Sequence, residues 1–376
     1  MTSCPRGKIE AVMMLVVWPM GDGRAGDLPH SAGCRVSDGE SVRHALHRSD
    51  PSNVPGKGCS PRGLAVISAT LPLLGLTHGS AAASTGDASF LSLCLASRPP
   101  TRPDNFWTSW SFAPEVVLPL VLVLALYARG LIALWKRPGI AAGRPWQAAC
   151  FAAGWLALVV ALISPLCRMA ATLASAHMVQ HVILVAIAPP LLVLARPMAT
   201  IAHGLPQRWR EVLTRWTGSW RVAGTRRWLT TTTIAGLLYG AAIWLWHAPL
   251  LYQAALLNAT LHLLMYAVLI STGVLFWRSL IATARDEPGG HGGAILSALA
   301  TTIHTGLLGA LLTFAPTPWY PLLAARTAVW GLTPLEDQQL AGLIMWVPMG
   351  SIYLVGSICL MAVWLNAMAR KHPELG

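Results

Sequence analysis

The sequence predicts an all-α protein, a polytopic membrane helix bundle of about seven transmembrane helices with its N-terminus outside and its C-terminus inside. Three observations predict it. Of 376 residues, 54% are hydrophobic and only 11% charged, too few ionisable groups to coat a soluble globule of that size. Apolar runs long enough to span a bilayer recur seven times. The positive charge collects in alternate short connections, the distribution that orients membrane helices rather than one that binds nucleic acid, so the net charge of +12 carries no nucleic-acid function.

Residues 1–56 are rich in Gly, Pro, Ser, Arg and His without a sustained period, and Val12 to Met20 is too short to span. They read as a disordered extension, or as sequence ahead of a true start near Val54. Lys57 and Arg62 precede the apolar stretch Leu64 to Leu76, which runs into small residues through Ala83. That order matches a secretory signal over 57–83, with an extra spanning helix as the alternative. An outer linker, 84–113, follows.

The seven runs fall near 114–134, 146–164, 173–195, 229–248, 256–277, 293–314 and 340–365, giving a membrane domain over 114–366 and a cytoplasmic tail over 367–376. Arg129, Lys136, Arg137 and Arg144 follow the first run, seven arginines lie between the third and fourth, and Arg370 and Lys371 follow the seventh. Those connections are cytoplasmic. The alternate ones face outward, and an exported N-terminal segment agrees with that order. Trp107, Trp110, Trp244, Trp246, Trp319, Trp330 and Trp346 fall near outer ends and read as interfacial anchors. Gly236 and Gly240 allow a close helix approach. Pro189 and Pro190 either kink the third helix or mark its exit.

The seven cysteines show no CxxC or CxxxC spacing, so they imply neither a disulfide framework nor a zinc site. They read as incidental, with Cys167 the one possible exception.

Histidine is expensive in hydrocarbon, so each one in a spanning run asks for a partner or a ligand. His177 and His181, four apart, share one helix face near the outer end of run three. His247 closes run four and His262 opens run five, which puts four imidazoles at one depth. His304 alone sits in mid-membrane. Met178, Met265, Met345 and Met349 accompany the cluster, and thioether with imidazole favours copper over hard cations, although methionine also fills gaps in ordinary packing. Asp337 stands at the entrance of run seven, where a carboxylate can bind metal or orient an imidazole. It can equally complement a helix dipole, because Thr333, Pro334 and Glu336 have the form of a capping box.

These segments carry a resemblance. His177 to His181 (HMVQH), Ala188 to Pro197 (APPLLVLARP), Trp246 to Pro249 (WHAP) with Tyr252, His262, Phe276 with Trp277, and Asp337 to Gly342 (DQQLAG) with Trp346 resemble the seven-helix cytochrome c oxidase assembly factors of the CtaG type. The resemblance spans about Trp107 to Trp364. It implies a non-enzymatic assembly factor of the bacterial plasma membrane that handles copper at the outer face and has cytochrome c oxidase subunits as partners. The matching positions, His177, His181, His247, His262 and Asp337, are the implied metal ligands.

Two other functions compete. Two facing histidines can hold a haem in a membrane redox protein, and a polar path across the bilayer would indicate a copper transporter. A retinal pump is excluded, because Lys8, Lys57, Lys136 and Lys371 all lie outside the predicted spans. No GxSxG, Walker-type loop or HExxH motif is present.

Overall fold

A computed structural model describes residues 92–136, 145–286 and 291–371. The expected N-terminal extension, the signal-like segment and residues 84–91 of the linker lie outside the described residues.

Every regular element among them is helical. In chain order these are α1 Pro114–Trp135, α2 Pro145–Leu162, α3 Pro165–Ala170, α4 Ala174–Val182, a π-helical segment Ile183–Ile187, and α5 Ala188–Ala195. Next come α6 Pro197–Gly204, α7 Gln207–Gly218, α8 Trp220–Leu229, α9 Thr232–His247, α10 Pro249–Leu257, α11 Ala259–Asp286 and α12 His291–Thr313. The chain ends with α13 Pro334–Ile344, a second π segment Met345–Met349, and α14 Gly350–Lys371. Proline stands in the first turn of α1, α3, α5, α6, α10 and α13, where its fixed φ suits a helix start and its missing N–H leaves nothing unpaired.

Among the described residues six stretches are long and apolar enough to cross a membrane, and a seventh forms if the pair α9 and α10, bent by 73°, counts as one. The bend has a local cause. Ala248 precedes Pro249, so it takes an extended conformation (ψ 129°) and cannot continue α9. The segment expected as an outer loop is therefore a helix, α10. The seventh span is also longer than expected and opens at Pro334, where Thr333 and Glu336 form the anticipated capping box.

Both π segments have proline near their C-terminal ends. A proline ring clashes with the carbonyl four residues earlier, and the wider π turn relieves that clash. Ahead of Pro189 this frees the carbonyl of Val185, which accepts from Tyr239 Oη (3.1 Å) and Trp277 Nε1 (3.1 Å). The Pro189-Pro190 pair thus does not mark the exit of the third span, since the chain continues as α5.

One end of the bundle carries the connections 163–173 and 314–333 together with α10; it is called the histidine end below. Here a linker segment crosses the helices. Ala96 N donates to Leu256 O, and Arg326 donates to the carbonyls of Ala171, Ala96 and Arg98 at 2.7 to 3.0 Å. Cys94 and Cys167 form a disulfide, both buried. This corrects the reading of the cysteines as incidental, for the partners lie 73 residues apart and no short spacing announces them.

Trp107 and Trp110 are exposed, whereas Trp246 is in the core and cannot serve as an interfacial anchor. Gly236 and Gly240 do mark a close approach. A Cβ on Gly240 would meet the His304 ring at 3.3 Å, and one on Gly236 would meet Ser297 at 2.8 Å, so α9 packs here on α12 within the chain.

Candidate metal centre

The imidazoles converge because three helices, α4, α9 and α11, deliver them to one level of the histidine end. α4 supplies His177 and His181 one turn apart. Asp337 fixes that helix from α13: its carboxylate accepts from Ala174 N (2.6 Å), Ser175 N (3.1 Å) and Ser175 Oγ (2.6 Å). The first backbone N–H groups of α4, which no turn of helix can satisfy, are paired by this side chain from another element. Both oxygens are engaged in holding the histidine helix in place.

His177 and His181 have ring centroids 4.3 Å apart, and His247, the last residue of α9, lies 5.3 Å from His181. Tyr252 of α10 covers His177 with centroids 4.7 Å apart and stacks in turn on Tyr320, whose hydroxyl donates to His247 O (3.0 Å). All three histidines are buried.

Their hydrogen bonds set which nitrogen is available. His177 Nδ1 donates to Ala170 O (3.2 Å) and His247 Nδ1 to Ile243 O (2.6 Å), so each presents its Nε2 lone pair. Nε2 of His177 makes no hydrogen bond, and neither ring nitrogen of His181 makes one. Nε2 of His247 points at Met178 Sδ, 3.3 Å away. In this tautomer two lone pairs face each other with no proton between them. That is costly for a packed core and natural for two ligands of one cation.

His262 differs. Its Nδ1 donates to Ala255 O (2.9 Å), and its Nε2 accepts from Tyr266 Oη (2.7 Å), which itself accepts from Gln180 Nε2 (2.9 Å). Gln180 also donates to Ala161 O (2.7 Å). Both nitrogens of His262 are used in a buried chain from α2 through α4 to α11. Of the five residues expected as ligands, the fold thus brings His177, His181 and His247 together with free lone pairs, and engages His262 and Asp337 elsewhere. His304 faces Gly240, away from this group.

A small cavity of about 10 Å³ lies against His181 and His247. Met178, Met345 and Met349 line it, and Val182, Val185, Ile243 and Leu269 complete the wall. On its inner side Tyr239, Phe276, Trp277 and Tyr353 form a buried aromatic layer. Tyr239 stacks on Phe276, Trp277 stacks on Tyr353, and the Tyr239 and Tyr353 hydroxyls are hydrogen-bonded. Among the described residues no group of three or more His, Cys, Asp or Glu is placed to hold a metal ion.

A family model for the cytochrome c oxidase caa3 assembly factor (Caa3_CtaG) matches residues 125–367. The chain belongs to this family. No curated protein and no solved structure matches it. Membership makes the protein an assembly factor for cytochrome c oxidase, in agreement with the resemblance read from the motifs, and its apolar helices make it a multi-pass membrane protein. The matched region contains all the histidines and methionines of the cavity. It excludes Cys94 and the linker that the disulfide secures. The sequence reading did not assign Tyr252, Tyr266 or Gln180 to the site, although Tyr266 stands four residues after His262, a spacing that places both on one helix face.

Proposed function

We propose that this assembly factor holds copper as cargo at the histidine end, which faces outward from the bacterial plasma membrane, and passes it to a cytochrome c oxidase subunit. The observation that carries the reading is the group of buried imidazoles, His177, His181 and His247, with lone pairs unused beside the Met178 thioether. Imidazole with thioether suits copper better than any hard cation. Outward orientation is supported by the arginines of the opposite connections and by a disulfide, a bond that persists in an oxidising compartment.

His177 stands at the linker side of the cavity, against Tyr252, and His181 and His247 line it. In this reading His177 receives and releases the ion, and the inner pair retains it. The four packed aromatic side chains beneath separate the cavity from the inner half of the bundle, which favours handover on one side over transport across the bilayer. A cavity of about 10 Å³ has room for roughly one water-sized sphere and none for a porphyrin, which disfavours the haem reading.

The test is cellular. Cells carrying His181→Ala or His247→Ala should insert the protein at normal levels yet assemble oxidase with reduced copper and activity. Normal copper content of the oxidase in both variants would sink the cargo reading.

A further inference from the structure

We propose that the cavity selects a monovalent soft cation, Cu(I), and that Met345 and Met349 of the second π segment are its ligands alongside Met178, His181 and His247. This rests on the reading of the site as one that holds copper, and adds the charge state of the cargo and two ligands from the last transmembrane span.

Charge makes the first argument. A cation in a buried cavity must be compensated or pay heavily for lost hydration, and the penalty rises steeply with its charge. No carboxylate or thiolate lines the cavity. The nearby candidate, Asp337, has its oxygens engaged by Ala174 and Ser175, and Cys167 is bonded to Cys94. A divalent ion would keep its whole charge in an apolar wall. A monovalent ion has the smaller penalty, and one that bonds well to neutral sulfur and nitrogen recovers most of it.

Size makes the second. With a volume of about 10 Å³ the cavity admits one ion without its water shell, so every ligand must come from the protein. Magnesium and calcium give up water reluctantly and require oxygen. The donors present are thioethers and imidazoles, the set that soft Cu(I) prefers.

The third argument lies in the helix. Met345 and Met349 are 1% and 2% exposed, and Tyr353, one step further, is fully buried. Residues four apart on an α-helix drift about 40° per step, so two steps would swing the third side chain well off the face of the first. The π segment Met345–Met349 widens the turn and absorbs that drift. It keeps both methionines in the cavity wall and leaves Tyr353 in the aromatic layer below. Three methionines from two elements thus line one cavity beside His181 and His247, a donor set that gap-filling alone does not require.

The experiment uses the full-length protein in detergent, loaded anaerobically with Cu(I). It measures competition against a chromogenic Cu(I) chelator, displacement by Ag(I) and by Zn(II), and copper-edge X-ray absorption. Wild type, Met345→Leu/Met349→Leu and His181→Ala/His247→Ala are compared, leucine conserving methionine's volume and apolarity. The expected result is a mixed sulfur and nitrogen shell around Cu(I), displacement by Ag(I) but not by Zn(II), and at least tenfold weaker binding in the double Leu variant with a diminished sulfur shell. A nitrogen-only shell in wild type overturns the inference without needing any variant to fold. So does unchanged affinity in the Leu variant while the His variant loses copper, and either outcome leaves the copper reading intact. Wild type that binds no Cu(I) overturns both.

Discussion

Each buried imidazole at the histidine end is defined by where its second nitrogen goes. His262 spends both nitrogens in the chain from Gln180 through Tyr266, so its loss should act on the fold. We expect His262→Ala to lower stability by about 1–3 kcal/mol, the penalty for orphaned buried partners, while the copper stoichiometry of the surviving folded protein stays at the wild-type value. Thermal unfolding in detergent, followed with metal analysis, checks it. Asp337→Ala should behave similarly, because it uncaps α4 and leaves Ala174 N and Ser175 N unpaired. A loss of about 1–2 kcal/mol is expected there, with weakened copper binding as the histidine helix shifts. The positions of these residues were legible in the sequence, since imidazole and carboxylate are expensive in lipid and stand out in apolar runs. Their roles were not. The sequence alone offers Asp337 as a ligand, as an acceptor that orients an imidazole or as a complement to its own helix dipole, and the carboxylate caps a helix 162 to 163 residues away.

The decisive elements are the irregular ones. The two π segments and the bend at Ala248 all trace to proline, and Pro189-Pro190 showed in advance that the third helix would be disturbed. What the helix does about it depends on Tyr239 and Trp277, which reach Val185 O from two other helices and which no local pattern reveals. The register of the second π segment depends on how α13 crosses α12. There Gly342 lies against the backbone of Gly309 and Thr313, so close that a Cβ cannot be accommodated without moving the helices. Gly342→Ala should therefore destabilise by about 1–3 kcal/mol, the usual range for overpacking. It should also weaken copper binding by displacing Met345 and Met349, which chelator competition on the folded fraction would detect. Gly350→Ala, where an added Cβ meets nothing within 4 Å, is the matched control and should change neither quantity.

At the level of the whole molecule, the helix count and the gathering of imidazoles at one end were legible, because spanning length and loop charge are dictated by the bilayer. The closure of that end was not. It depends on Cys94 meeting Cys167 and on Arg326 gathering carbonyls from Ala96, Arg98 and Ala171, contacts between residues 73 to 230 positions apart. Removing the disulfide with Cys94→Ser/Cys167→Ser should reduce stability by about 2–4 kcal/mol. The bundle should still insert, as limited proteolysis and thermal unfolding would report. The central claim is that the three open imidazoles and the thioethers beside them bind copper. Its most direct test is the metal content of the purified full-length protein after exposure to Cu(I), wild type beside His181→Ala/His247→Ala. The account predicts about one copper per wild-type chain and none in the folded variant; equal copper in both, or none in either, would contradict it.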